Sequence, residues 1–170
     1  MRILISDTSC LIDLRKGLLL EAFVRLPYDL VIPDVLFEEE LINFSAAEKD
    51  LLAQSLKIQS LSGENIIEVQ RVNRDYPALG VNDCFAFIIG KITPNCILLT
   101  GDSKLRNLAS SCGIKVHGTL WGIDEMYKSK CATARQLYSA LLSFQRDVTV
   151  RLPMSELRLR IKQYKALLDS

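Results

Sequence analysis

The chain has 170 residues, 49% hydrophobic and 24% charged, with a formal net charge of +1. That is a single domain long enough to bury a core, and its near-neutral charge excludes a protein that coats nucleic acid through bulk basicity. No apolar run approaches the roughly 18–20 residues that span a bilayer, the start lacks the long apolar segment of a secretory leader, and a cytoplasmic location is expected.

In chain order, residues 1–7 read as a first core strand, with RILIS followed by Asp-Thr-Ser. Asp7, Thr8 or Ser9 can cap a helix over residues 10–15, which Lys16-Gly17 stops. Residues 18–26 read as a second apolar helix closed by Pro27. DLVI at 29–32 is a second strand, and Pro33-Asp34 open a helix to about Phe44. Residues 46–54 are helical, and 56–61 alternate apolar with polar like a third strand. Ser62-Gly63-Glu64 lead into a helix ending near Tyr76. Asn82-Asp83 start an apolar, hence buried, helix over 84–92. CILLT at 96–100 is a fourth strand, ending in Gly101-Asp102-Ser103. A helix over 104–112, a fifth strand over 114–116 and helices near 120–128, 133–145 and 154–168 complete the chain. Short apolar strands alternating with helices predict an α/β fold with a parallel sheet. Ligands bind such sheets outside the carboxyl ends of the strands.

Four acidic residues stand out against that frame. Asp7 and Asp102 follow two apolar strands, where an Asp also serves as a helix cap or turn residue. Asp83 opens a buried helix, where a carboxylate facing the core must be capped, paired or bound to a cation. In the run Glu38-Glu39-Glu40, a helical wheel puts Glu40 among Leu36, Phe37, Leu41 and Phe44, with Glu38 and Glu39 toward solvent. Four carboxylates in one crevice would repel and raise one another's pKa values. A hard divalent cation removes that conflict, and an oxygen-only donor set favours Mg²⁺ or Mn²⁺. The scattered cysteines (Cys10, Cys84, Cys96, Cys112 and Cys131) form no zinc-binding pattern, and most read as small buried apolar side chains.

Taken in order, strand–Asp-Thr-Ser at Asp7, Pro-Asp-x-x-x-Glu-Glu-Glu-Leu at 33–41, Asn-Asp at 82–83 and strand–Thr-Gly-Asp-Ser at 100–103 resemble PIN domains. The stretch GIKVHGTLWGIDEM at 113–126 is similar to prokaryotic PIN proteins related to VapC-type toxins. The resemblance covers roughly residues 1–130, a PIN-like nuclease domain, with 131–170 as a helical extension packed on it. It implies a three-layer α/β/α sandwich with a central, mainly parallel sheet. It also implies a Mg²⁺- or Mn²⁺-dependent ribonuclease, acting on single-stranded or structured RNA and leaving a 5′-phosphate and a 3′-hydroxyl. Asp7, Glu40, Asp83 and Asp102 match the family's acidic positions, with Glu38 or Glu39 as the alternative register. Thr8, Ser9 and Thr100 match its polar positions. The toxin-like subgroup implies a small antitoxin partner and a homodimer, with no membrane association.

The remaining features are secondary. Arg151, Arg158, Arg160, Lys162 and Lys165 make the last helix basic, either as a solvated face or as an arm for an RNA backbone or a partner. Trp121 reads as core, Lys104 as solvated, and His117, the single histidine, is given no role. Among rivals, a haloacid-dehalogenase-type phosphatase needs a second Asp where Ser9 stands, and a receiver domain needs an acidic pair that is missing. A PIN-like module that only binds RNA or protein, or another Mg²⁺-dependent phosphohydrolase, is the alternative function.

Overall fold

The computed structural model describes residues 2–169. Met1, which the sequence assigns to the first strand, lies outside them. The elements are β1 (Arg2–Ser6), α1 (Thr8–Lys16), α2 (Leu20–Phe23), β2 (Tyr28–Pro33), α3 (Asp34–Glu39), α4 (Ala46–Ser55) and β3 (Lys57–Gln59). They continue as α5 (Gly63–Asp75), α6 (Val81–Ile92), β4 (Ile97–Leu99), α7 (Ser103–Ser111), β5 (Lys115–His117), α8 (Thr119–Lys128), α9 (Ala134–Arg146) and α10 (Met154–Asp169).

The five strands form one parallel sheet in the order β3-β2-β1-β4-β5. Central β1 pairs with both neighbours: Leu4 lies beside Leu30 and Ile97, and Ile5 beside Val31 and Leu98. Parallel strands covered on both faces carry continuous apolar runs. The three central strands obey this, with Leu4, Ile5, Leu30, Val31, Ile32, Ile97, Leu98 and Leu99 all buried. Edge strands β3 and β5 are short and partly exposed.

The chain winds from β1 outward through β2 to β3, then returns to β4 beside β1 and winds out the other way to β5. Right-handed crossovers in opposite directions put the connecting helices on opposite faces, giving an α/β/α sandwich. Helices α1, α2, α8 and α9 pack together as one layer, and α5, α6 and α7 as the other, with α6 lying across β1, β2 and β4. The strand order reverses between β1 and β4, which opens a crevice at their carboxyl ends.

Several predicted elements differ in extent. The helix expected over 18–26 is reduced to the single turn of α2. Leu18 adopts φ 56°, ending α1, and its side chain stands 92% exposed. The helix opened by Pro33-Asp34 stops at Glu39 rather than near Phe44. Acidic side chains at a helix C-terminus oppose the helix dipole, and Glu38-Glu39-Glu40 sit there. Leu41 and Phe44 are buried, but from a turn and not from a helix face. The buried helix starts before Asn82, with Gly80 as its N-cap.

The last two helices extend the layer of α1, α2 and α8. α9 packs on α1 and α8, and α10 lies along α9. Arg160 on α10 forms an ion pair with Asp124 on α8 at 2.9 Å, and the Tyr164 hydroxyl donates to the other Asp124 oxygen at 3.2 Å. No helix among the described residues is long and apolar enough to cross a membrane.

Candidate active site

Polar side chains rarely enter a core without a reason. Here the buried polar residues are Ser6, Asp7, Thr8, Thr100 and Thr119. Four of the five stand at the carboxyl ends of β1 and β4, where the strand order reverses. Asp7 is 3% exposed and makes no ion pair with Lys or Arg among the described residues.

Hydroxyls, not cations, hold Asp7. Its Oδ2 accepts from Ser9 Oγ at 2.6 Å and from Thr100 Oγ1 at 2.8 Å. Each hydroxyl also accepts a backbone N–H from the loop after β4: Gly101 to Ser9 at 2.9 Å, and Asp102 to Thr100 at 3.0 Å. Two small side chains thus tie the loop after β1 to the loop after β4. Asp7 occupies the N-cap position of α1, but its side chain makes no capping bond. The ordinary explanation for an Asp at that place therefore does not account for it.

Asp102 and Asp83 do perform the local roles open to them, each with one oxygen. Asp102 caps α7, its Oδ1 accepting from Leu105 N–H at 2.7 Å. Asp83, in the first turn of α6, accepts the Gly80 N–H on Oδ2 at 3.0 Å. Among the described residues, Asp102 Oδ2 and Asp83 Oδ1 take no hydrogen bond. Capping fixes the orientation of each carboxylate and leaves a second oxygen for other partners.

Glu40 caps the C-terminus of α3, where the chain leaves the helix. Its Oε2 accepts from Thr8 Oγ1, and its Oε1 accepts from Asn82 Nδ2 at 2.9 Å. Asn82 also donates to Glu39 at 3.2 Å, whereas Glu38 has no hydrogen bond among the described residues. Asn82 bridges the acidic run to the start of α6, a function the sequence did not reveal. Its only signal was adjacency to Asp83.

The electrostatics show that the four acids share one neighbourhood. Burial raises the pKa of Asp7, and the charge of Glu40 raises it further against the two hydroxyl bonds. Asp83 is pushed up to about 6, first by burial and then by the charge of Asp7, with Asp102 and Glu40 adding to it. Residues 7, 40, 83 and 102 come from four separate segments. Their mutual repulsion is the situation a divalent cation relieves.

The donor set suits Mg²⁺ or Mn²⁺ chemically, being all oxygen. Among the described residues, however, no three His, Cys, Asp or Glu side chains converge closely enough to hold a single ion as they stand. Glu40 has both oxygens engaged by Thr8 and Asn82. Mg²⁺ keeps several waters and commonly takes one or two carboxylates directly, so Asp7, Asp83 and Asp102 fit it without full convergence.

His117 and Trp121 lie next to this site. Their rings stack at 4.3 Å and 6°, and Trp121 meets Tyr28 edge-on at 6.0 Å. His117 Nε2 is the one buried side-chain N or O atom without a hydrogen-bond partner among the described residues. Burial lowers the His117 pKa, and Lys115 and Arg106 lower it further.

Compared with known families, residues 3–166 match a family model described as a PIN domain. The matched stretch runs through α9 and into α10. A search of curated proteins gives no match.

Proposed function

The chain belongs to the PIN-domain family, and we propose that it is a metal-dependent endoribonuclease whose acidic residues are Asp7, Glu40, Asp83 and Asp102. The observation that carries this reading is the buried Asp7, with no Lys or Arg partner among the described residues and repelled by Glu40, beside Asp83, on which the charges of Asp7, Asp102 and Glu40 all act. A carboxylate in that position costs stability unless a cation answers it. Capping accounts for one oxygen each of Asp83 and Asp102, whereas no capping bond accounts for Asp7.

Asp7, Asp83 and Asp102 would hold Mg²⁺ or Mn²⁺, and Glu40 would orient ligands or water beside them. When bound there, such an ion would make water a stronger nucleophile at neutral pH and offset charge on the phosphoryl oxygens. The chain's own contribution is positioning. Ser9 and Thr100 fix the Asp7 carboxylate, while the caps of α6 and α7 fix Asp83 and Asp102. In-line hydrolysis of an RNA phosphodiester would leave a 5′-phosphate and a 3′-hydroxyl. The similarity of residues 113–126 to VapC-related proteins supports a toxin role, with a small antitoxin partner, a homodimer and a cytoplasmic setting.

One observation favours a second reading. The absence of a three-acid convergence among the described residues suits a PIN-like module that binds RNA or protein without cutting. Incubation of wild type and Asp7→Asn with single-stranded RNA separates the two. The nuclease reading expects cleavage by wild type in Mg²⁺ or Mn²⁺, abolished by EDTA and by the substitution. Equal cleavage by both proteins, or none by wild type in either metal, rejects it.

A further inference from the structure

A cleft of about 700 Å³ opens beside the acidic cluster. It begins at Gly101 and Ser103, which flank Asp102, and extends past Arg106 and Trp121 to Arg151 and Leu152, ahead of α10. Its volume lies within the roughly 300–1,000 Å³ typical of sites that hold a single small ligand. Two of its properties identify the ligand class.

The first property is charge. Three arginines reach the cleft: Arg106, Arg151 and Arg160. Arg160 is already answered by two carboxylates, Asp124 at 2.9 Å and Glu156 at 2.8 Å, so it adds no free positive charge and the trio carries one net negative charge on that wall. Arg106 donates from Nη2 to the Thr100 carbonyl at 2.9 Å and has no carboxylate partner among the described residues. Its guanidinium lies so close over Gly118 that a Cβ there would meet Nη2 at 2.9 Å. Arg151 is exposed and has neither an ion pair nor a hydrogen bond among the described residues. Two unanswered guanidinium groups therefore face a cleft that continues into an anion-cutting site. In a chain of net charge +1, such local groups must supply the grip on a phosphate backbone.

The second property is an apolar wall. Trp121, Leu152 and Pro153 line the cleft, with the Trp121 ring fixed by stacking on His117 at 4.3 Å and by an edge contact with Tyr28 at 6.0 Å. Aromatic faces take bases of any sequence by stacking. Free phosphate or a peptide carboxylate would need the arginines but not this wall.

We infer that the cleft seats one nucleotide of the RNA strand next to the bond being cut, with Arg106 and Arg151 on its phosphate and Trp121, Leu152 and Pro153 against its base. The inference rests on the ribonuclease reading, and its test separates the two. Full-length protein in EDTA is titrated with a fluorescein-labelled single-stranded RNA hexamer of mixed sequence. Anisotropy and the emission of Trp121, the single tryptophan, are both followed.

Expected are a change in Trp121 emission on binding and an affinity lowered on the order of threefold to tenfold by Arg151→Gln. The slope of log affinity against log salt should fall by about 0.7, the value for one phosphate contact on a single strand. Lys165→Gln, on the exposed side of α10, should bind as wild type. Arg106→Gln disturbs the Thr100 carbonyl as well, so Arg151→Gln decides the matter. No binding, binding without a Trp121 response, or equal affinity of wild type and Arg151→Gln overturns the cleft. Cleavage in Mn²⁺ is read separately. A raised KM with kcat little changed in Arg151→Gln supports the cleft, whereas cleavage with unaltered KM overturns it and leaves the nuclease reading standing. Binding through the cleft with no cleavage by wild type supports the cleft and overturns the nuclease reading.

Discussion

Replacing Asp7 with Asn should stabilise the protein without metal and destabilise it, relative to wild type, with metal. Asp7 is 3% exposed and repelled by Glu40. The Asn carbonyl can take the place of Oδ2 and accept from both Ser9 and Thr100. Neutralising the acceptor weakens those two bonds by about 0.5–1 kcal/mol each. Removing an unpaired buried anion recovers part of a desolvation cost of several kcal/mol. The balance is a gain of about 1–2 kcal/mol, or roughly 2–8 °C in Tm for a domain of this size. Because the Asp7 pKa is raised from 3.8, the gain is present at pH 7.5 and vanishes as the pH falls toward that value. Mn²⁺ at a hundredfold excess over its Kd stabilises wild type by about 2.7 kcal/mol and should not stabilise the variant, so the order of melting reverses. Thermal melts of both proteins in EDTA and in MnCl₂ measure this. A variant that melts below wild type in EDTA at pH 7.5, or an equal response of both to Mn²⁺, would refute the reasoning.

Two other predictions concern pH and packing. Asp83, held near 6 when metal-free against 3.8 in the unfolded chain, binds its proton more tightly when folded. Its contribution to stability is therefore lost as pH rises between those values and is constant above them. Urea unfolding in EDTA across that window should show the wild-type slope reduced in Asp83→Asn; identical slopes would mean that Asp83 is not crowded by its neighbours. Gly17→Ala adds a Cβ that would approach Phe144 Cζ to 2.8 Å and Ala140 Cβ to 3.1 Å. Overpacking there should cost about 1–3 kcal/mol in chemical denaturation, and a neutral or stabilising result would contradict the tight seating of α9 on α1.

The fold was legible where a single physical signal dominated. Apolar runs bounded by polar turns marked β1, β2 and β4, and the rule for parallel sheets then directed attention to Asp7 and Asp102. The all-apolar stretch before Ile92 marked α6 as buried. The signal failed where burial periodicity and helicity part company. Leu41 and Phe44 continue the spacing of a helix face, but the chain turns at Glu40 and buries them from a loop. The wheel that singled out Glu40 therefore assumed a helix that has already ended, and Glu40 reaches the site from a helix terminus instead. Capping was recognised as an alternative for Asp83 and Asp102, yet sequence could not show that each cap occupies one oxygen only. Long-range bonds were invisible to any local pattern: Asn82 reaches across to Glu39 and Glu40, and Thr100 to Asp7. Trp121, read as core, is half-buried against the core and also lines a cleft that involves residues ahead of α10, which the sequence did not reveal.

The central claim is that carboxylates from distant segments meet because they share a divalent cation. Titration of the protein with Mn²⁺, followed by electron paramagnetic resonance of the free ion, tests it without requiring any substrate. Wild type should take up Mn²⁺ saturably, and Asp7→Asn and Asp102→Asn should each lose that uptake. Undiminished uptake in both variants, or none in wild type, would contradict it.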